Sequence, residues 1–191
     1  MEEKLKQKPG DLIKVVLFGP ESTGKTTLSR QLAAHYKTLW VPEYMREYLQ
    51  DKWDRGHKTC EPQDMLSIAE GQMQSENRKS RDAKKILFCD TNLLELQVYS
   101  EVYYGECHPM IREFALHNTY DLYFLTYIDV PWEEDDLRDK PEEREQMFRY
   151  FEKTLKKHRR PYVVLKGDKE KRLRSAIAHI EHLIRKKQLS T

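Results

Sequence analysis

Short apolar runs alternate with helical stripes along the whole chain. Ile13-Lys14-Val15-Val16-Leu17-Phe18 is β-branched, apolar and of strand length, and after a glycine-containing interval Leu28, Leu32 and Tyr36 recur at helical spacing. Thr38-Leu39-Trp40-Val41 predicts a short second strand, ended by Pro42, which has no N–H for a central ladder. Glu43 to Leu49 returns to helical spacing, and the polar stretch Asp51 to Thr59 reads as a loop. From Glu61-Pro62 a long helix is predicted towards Lys84, with Met65, Ile68, Ala69, Gln72 and Met73 as its inner stripe. Ile86 to Asp90 reads as a buried strand ending in an acid. Leu93 to Tyr104 reads as a helix ended by Gly105, and His108-Pro109 opens another through His117. A fourth strand is predicted over Leu122 to Val130, stopped by Pro131, and an acidic connection runs from Trp132 to Pro141. Glu142 to Lys157 is helical, Tyr162 to Leu165 is a fifth strand, and Gly167-Asp168 is a turn. The last helix points Leu173, Ile177, Ile180 and Ile184 inward. Residues Met1 to Asp11 are polar, broken by Pro9-Gly10, and are expected to be a flexible lead-in.

Strands alternating with helices predict an α/β fold in three layers, a five-stranded parallel sheet with helices on both faces. Right-handed crossovers bring the loops that follow the strands to one edge: 19–26, 42–46, 90–92, 131–144 and 167–168.

The first of those loops changes the picture. Gly19-Pro20-Glu21-Ser22-Thr23-Gly24-Lys25-Thr26 fits G-x-x-x-x-G-K-[ST], between a buried strand and a helix, as in P-loop NTPase folds. Gly19 lets the chain turn out of the strand, and Gly24 lets backbone approach a phosphate. Successive N–H groups and the helix N-terminus then form an anion nest. Nucleotide contacts are expected from Gly19, Glu21, Ser22, Thr23, Gly24, Lys25, Thr26 and Thr27, with Gly167 from the fifth loop. Lys25 would reach the β- and γ-phosphates, and Thr26 would hold Mg²⁺.

Several side chains are predicted to converge on these phosphates. Asp90, at a strand end, suits water-mediated Mg²⁺ binding or proton abstraction from an acceptor hydroxyl. Glu43 can serve as that base or as a first-turn helix acid, and Arg46 can pair with it or meet an anion. The acidic loop carries Asp135, Arg138 and, a little further on, Arg144. A small lid over 131–146 that excludes water and brings arginines to the transferring phosphoryl group is expected.

Composition narrows the field. One domain over all 191 residues is expected, with a net charge of +2 despite 35% charged residues, which argues against a dedicated nucleic-acid or membrane surface. Three scattered cysteines without a C-x-x-C pair fit a reducing cytoplasm, and the start lacks a signal-peptide core. His179 and His182 have no acidic or thiol companion to make a metal site.

The chain resembles the NadR-type ribosylnicotinamide kinase domain from Val15 to about Ile184. The P-loop is shared widely. Glu43-Tyr44-x-Arg46-Glu47-Tyr48, Pro62-Gln63-Asp64-Met65, Asp90-Thr91-Asn92 and Tyr104-Gly105-x-x-His108-Pro109 carry the particular likeness, with Trp132-x-x-Asp135-x-Leu137-Arg138 and Arg144. The resemblance implies ATP- and Mg²⁺-dependent phosphorylation of the nicotinamide riboside 5′-hydroxyl. It implies catalytic roles for Lys25, Glu43, Asp90, Arg138 and Arg144. Substrate contacts are expected from Glu43, Tyr44, Arg46, Asp90, Asn92 and Asp135. A standalone kinase domain is expected, without the adenylyltransferase and repressor domains beside it in some relatives. One departure is Pro42, where better-known kinases of the group carry a ring-stacking Trp. Tyr44, Tyr48, Trp53, Tyr103 and Tyr104 can supply stacking instead.

Two further readings stand beside this one: a nucleoside or nucleoside-monophosphate kinase of other specificity, and a non-catalytic nucleotide-binding module. A GTPase switch is disfavoured by the lack of N-K-x-D, and a motor ATPase by the lack of a helical lid domain after strand five.

Overall fold

Five parallel strands lie in the order β2-β3-β1-β4-β5, where β1 is Ile13–Phe18, β2 Trp40–Val41, β3 Ile86–Asp90, β4 Leu122–Thr126 and β5 Tyr162–Leu165. The computed structural model describes residues 2–133 and 141–189. Helices α1 (Glu2–Leu5), α2 (Lys25–His35), α3 (Tyr44–Gly56) and α4 (Asp64–Asp82) occupy the first half. In the second half follow α5 (Leu93–Tyr104), α6 (Pro109–His117), α7 (Arg144–Lys157) and α8 (Lys169–Gln188).

The period-2 geometry of a strand sorts β1 between two cores. Ile13, Val15 and Leu17 pack with Leu28 and Leu32 of α2 and Ala176 and Ile180 of α8. Val16 and Phe18 join the larger core, built from α3 to α7 and including Ile68, Leu94, Ile111 and Phe151. Both sheet faces are covered, as the near-continuous apolar strands require. The chain leaves β1 towards β3 and leaves β4 towards β5, so a crevice opens beyond the carboxyl ends of β1 and β4.

Helix α5 is buried from Leu93 to Ser100, all round its axis. Its start is capped by Asn92, whose Oδ1 accepts from the Glu95 N–H at 3.2 Å, and its end by Gly105 at φ 75°.

The structure corrects four sequence-based expectations. The lead-in is not free: Leu5 is fully buried, and the Asn118 side chain donates to the Leu5 carbonyl at 3.1 Å while accepting from the Gln7 N–H. Asn77 likewise receives the Lys8 N–H at 2.8 Å and donates to the Lys6 carbonyl at 2.9 Å. Buried Glu76 collects Gln7, Lys14 and Tyr120, at 2.8, 2.9 and 2.8 Å respectively. Second, α3 runs on to Gly56, through most of the stretch read as a loop, aided by Arg55–Asp51 and by Lys52 reaching Asp64 at 2.5 Å. Third, β2 begins at Trp40 rather than Thr38, because the Thr38 hydroxyl donates to the Ile86 carbonyl and turns the chain into the sheet. Fourth, β4 ends at Thr126, because the Tyr127 carbonyl and the Asp129 carboxylate turn to Arg172 instead of a strand.

Candidate active site

The P-loop leaves β1 through Gly19, at φ 137°. A Cβ there would lie 2.8 Å from Thr126 Oγ1 and 3.0 Å from its carbonyl, so both conformation and space demand glycine. The Thr23 hydroxyl donates to the Pro20 carbonyl at 2.7 Å and lies 2.7 Å from the Thr126 hydroxyl, which fixes the loop's inner turn.

Lys25, 7% exposed, turns into the loop rather than away from it. Its Nζ donates to the Gly19 and Pro20 carbonyls at 2.6 and 3.0 Å and lies 3.2 Å from Glu95 Oε1. Burial alone would lower its pKa, but the carboxylates of Glu95, Glu43 and Asp90 outweigh that, and the net shift is upward.

Asp90 ends β3, directly across from Leu17 of β1. Its Oδ2 accepts from the Thr26 hydroxyl at 2.5 Å, and its buried Oδ1 has no hydrogen-bond partner among the described residues. Burial and the neighbouring Glu43 carboxylate raise its carboxyl to about 7, against the pull of Lys25 and Thr26. Next to it Thr91 sits at φ 70°, a conformation that costs a β-branched residue about 1–3 kcal/mol. Its N–H is held by the Leu17 carbonyl at 3.1 Å. Among the described residues no group of three or more His, Cys, Asp or Glu is arranged around a metal. The Thr26–Asp90 pair, with one orphaned carboxylate oxygen, nevertheless offers the hard oxygen donors that suit Mg²⁺.

Glu43 is the N-cap residue of α3, yet its side chain makes no capping bond. Gln72 of α4 takes that place: its Oε1 accepts from the Tyr44 N–H at 2.8 Å, and its Nε2 donates to the Pro42 carbonyl at 3.4 Å. The Glu43 carboxylate is thereby left to act on Asp90 and Lys25. Tyr44 lies against Gly71, where a Cβ would stand 2.0 Å from its ring, and its centroid is 6.4 Å from that of Tyr48. Arg46 is exposed, as are Thr26 and Thr27. The Asn92 amide is engaged at both ends, its Nδ2 donating to the Tyr123 hydroxyl at 3.0 Å.

The loop after β4 closes on the P-loop. Arg144 donates to the Val130 and Ser22 carbonyls at 3.0 and 3.2 Å and lies over the Trp132 ring, 5.6 Å from its centroid. The Ser22 hydroxyl accepts from the Glu133 N–H at 2.8 Å. Asp135, Arg138 and the body of the expected lid lie outside the described residues. A cavity of about 760 Å³ opens at the other end of the sheet, between the lead-in and α6, and no expected site residue lines it.

Sequence reasoning missed three contributors: Glu95, Gln72 as a positioning group, and Arg172. Arg172 of α8 is 4% exposed and donates to the carbonyls of Thr23, Gly167 and Tyr127, and it pairs with Asp129. Asp129 also accepts from the Gly167 N–H at 2.6 Å, so Gly167 is tied to the P-loop through this cation. The one available signal was an acid in the first turn of the apolar α5; nothing in the sequence singled out Arg172.

A phosphate-cradling loop at the centre of a 2-3-1-4-5 sheet, faced by a carboxylate ending the neighbouring strand, defines a P-loop nucleotide-binding fold. The profile of the AAA domain family matches residues 14–172, and the chain belongs to that family. Over 131 residues it is 30% identical to the "Trifunctional NAD biosynthesis/regulator protein NadR" of Salmonella typhimurium, and equally to that of Escherichia coli. Each match covers 69% of this chain and 32% of the relative, so the chain spans about a third of the curated relatives' length. The NadR protein in complex with NR superposes with a TM-score of 0.76 at 22% identity, over 91% of this chain and 52% of that one. The NadR complex with NAD and AMP-PNP gives 0.74 at 21%, over 91% and 49%. Thymidylate kinase from Ehrlichia chaffeensis gives 0.64 at 18%, over 91% and 100%. These superpositions bear out the expected three-layer fold, and the resemblance to the NadR-type domain holds in sequence and structure. Among the described residues no helix is long and apolar enough to cross a membrane.

Proposed function

We propose that this chain is an ATP-dependent kinase that transfers the γ-phosphoryl group to the 5′-hydroxyl of nicotinamide riboside, giving nicotinamide mononucleotide. The observation that carries the reading is the grouping of Asp90, Thr26 and Glu43 around the P-loop lysine. A carboxylate ending a strand is paired with the P-loop hydroxyl, and a second carboxylate is held beside it without a capping duty. NadR relatives, one solved with NR and another with NAD and AMP-PNP, support this choice of acceptor and donor.

In the reaction, the acceptor oxygen forms a bond to the γ-phosphorus as the bond to the β–γ bridging oxygen breaks, and ADP leaves. The hydroxyl proton passes to a carboxylate oxygen of Asp90 or Glu43. Lys25 leaves the Gly19 and Pro20 carbonyls for the phosphates, which the P-loop N–H groups and the N-terminus of α2 would cradle. Thr26 and Asp90 would hold Mg²⁺, which when bound offsets charge on the β- and γ-phosphates. Arg144 donates to the Ser22 carbonyl, and with Arg138 it would serve a lid over 131–146 that offsets charge on the transferring group. Tyr44, Arg46 and Asp135 complete the acceptor side, and Gly167 the nucleotide side. Unpaired Cys60, Cys89 and Cys107 suit a cytoplasmic, reducing setting.

A nucleoside kinase of other specificity is the second reading, favoured by Pro42 at the position of the group's stacking Trp. A coupled assay over a panel of acceptors separates the two. ATP turnover that appears only with nicotinamide riboside supports the first, and turnover with other nucleosides selects the second. Tight nucleotide binding with no acceptor-dependent turnover would overturn both.

A further inference from the structure

Glu95 has no part in the transfer just described, yet it is the residue closest in charge to its central cation. It rises from the first turn of α5, fully buried, with Oε1 at 3.2 Å from Lys25 Nζ and Oε2 accepting from the Gly19 N–H at 3.3 Å. Asn92 fixes the turn that carries it. The groups facing it are Lys25 from α2, Glu43 from the turn before α3 and Asp90 from the end of β3. Tyr99, one turn along α5, feels its charge together with those of Glu21 and Glu43. Lys25 is thus its sole cationic neighbour among those groups.

We propose that Glu95 is the resident partner of the P-loop lysine, a positioning residue that holds Lys25 before a nucleotide binds and that must be the neutral acid once Lys25 moves to a nucleotide's phosphates. The inference rests on the reading of the P-loop as a nucleotide site, and it adds a component that the transfer chemistry does not require. The reason is geometric. Lys25 is ion-paired with Glu95 and donates to two loop carbonyls at once, and it cannot reach phosphates beyond the loop without loosening that arrangement.

A carboxylate with no exposure, deprived of its cation and brought nearer to phosphate charge, is stable in the interior only as the neutral acid. Burial already raises its carboxyl to about 8, with Lys25 opposing and Glu43 and Asp90 reinforcing. The exchange is balanced: Lys25 remains an ammonium throughout, and one proton moves from solvent to a Glu95 oxygen. Above about pH 8, nucleotide binding is therefore coupled to that proton, and affinity falls by up to about tenfold per pH unit.

The test is calorimetry of AMP-PNP binding, without magnesium, at about pH 9 in two buffers of different ionisation enthalpy. The wild-type protein is expected to take up close to one proton, with the dissociation constant rising about tenfold per pH unit. Glu95→Gln keeps an acceptor for the Gly19 N–H but carries no charge. It should show no uptake, a flat pH profile and tighter binding than wild type at high pH. Asp90→Asn should retain the uptake, which separates Glu95 from its titrating neighbour. Wild-type protein that binds AMP-PNP without proton uptake overturns the proposal with no variant needed, as does Glu95→Gln with undiminished uptake. Failure of wild-type protein to bind AMP-PNP at all would instead overturn the underlying nucleotide-site reading, and this inference with it.

Discussion

Gln72 Oε1 accepts the backbone N–H of Tyr44 at 2.8 Å, and the same amide reaches the Pro42 carbonyl with its other end. One side chain from α4 thus spans the turn that contains Glu43. Gln72→Ala should free that turn and lower kcat by about 10–100-fold while leaving the KM for ATP nearly unchanged. Steady-state kinetics with each substrate varied in turn checks it. An equal rise in both KM values would point to general loosening instead.

Gly71 makes room for the Tyr44 ring, where a Cβ would stand 2.0 Å from Cε1. Gly71→Ala gains about 1 kcal/mol of helix propensity but must displace the ring, at about 1–3 kcal/mol. A modest net loss of stability is expected in denaturant melts. The kinetic effect should fall on the acceptor's KM rather than on that of ATP, because Tyr44 lies on the acceptor side of the proposed site.

Asp90 gives a pH prediction with a definite sign. Its carboxyl is raised from an ordinary 3.8 to about 7 in the folded chain, so between those values the native state binds more protons than the unfolded one. Stability from this group is therefore full at the acid end and lost as pH rises through about 7. Asp90→Asn should match wild type near pH 4 and exceed it near pH 8, by on the order of 4 kcal/mol. Denaturation at both pH values reads the difference, and the variant should have lost its activity.

Lys25→Ala should reduce transfer by at least about 100-fold, since a preorganised donor to the phosphates is lost. The protein should stay folded, because Glu95 can accept a proton once its cation is gone. Circular dichroism alongside the kinase assay distinguishes a silent site from a collapsed one.

Leu5→Ala tests the docked lead-in. A fully buried leucine cut to alanine should cost about 2–5 kcal/mol. Nucleotide affinity should be unchanged, since α1 contacts α4 and α6, remote from the P-loop. An unaltered melting temperature would mean that this segment is not part of the core.

The strands, the P-loop and Asp90 were legible because their signals are local. Periodicity marks a strand, and a spaced glycine-lysine motif marks a phosphate nest. Helix α3 beyond Leu49 was not, because Asp51 to Gly56 has no apolar stripe and is held by ion pairs to its own turns and to Asp64. The lead-in was misread for a related reason. Its anchors, Asn77, Asn118 and Glu76, are polar side chains 69 to 113 residues away, and no window of sequence joins them. Glu43 was left between two roles, and no window of sequence shows that Gln72, rather than Glu43, caps the start of α3. Glu95 lay hidden as one acid in an apolar helix.

Arg172 carries a consequence for how this chain can be divided. Every recognisable motif falls before residue 145, but the guanidinium that braces the Thr23 carbonyl, the Tyr127 carbonyl and Asp129 belongs to the final helix. A fragment ending at β5 would keep the P-loop and the motifs up to Arg144 and lose both Gly167 and the strut beneath its phosphate loop. In this fold the last stretch of chain completes the first functional turn.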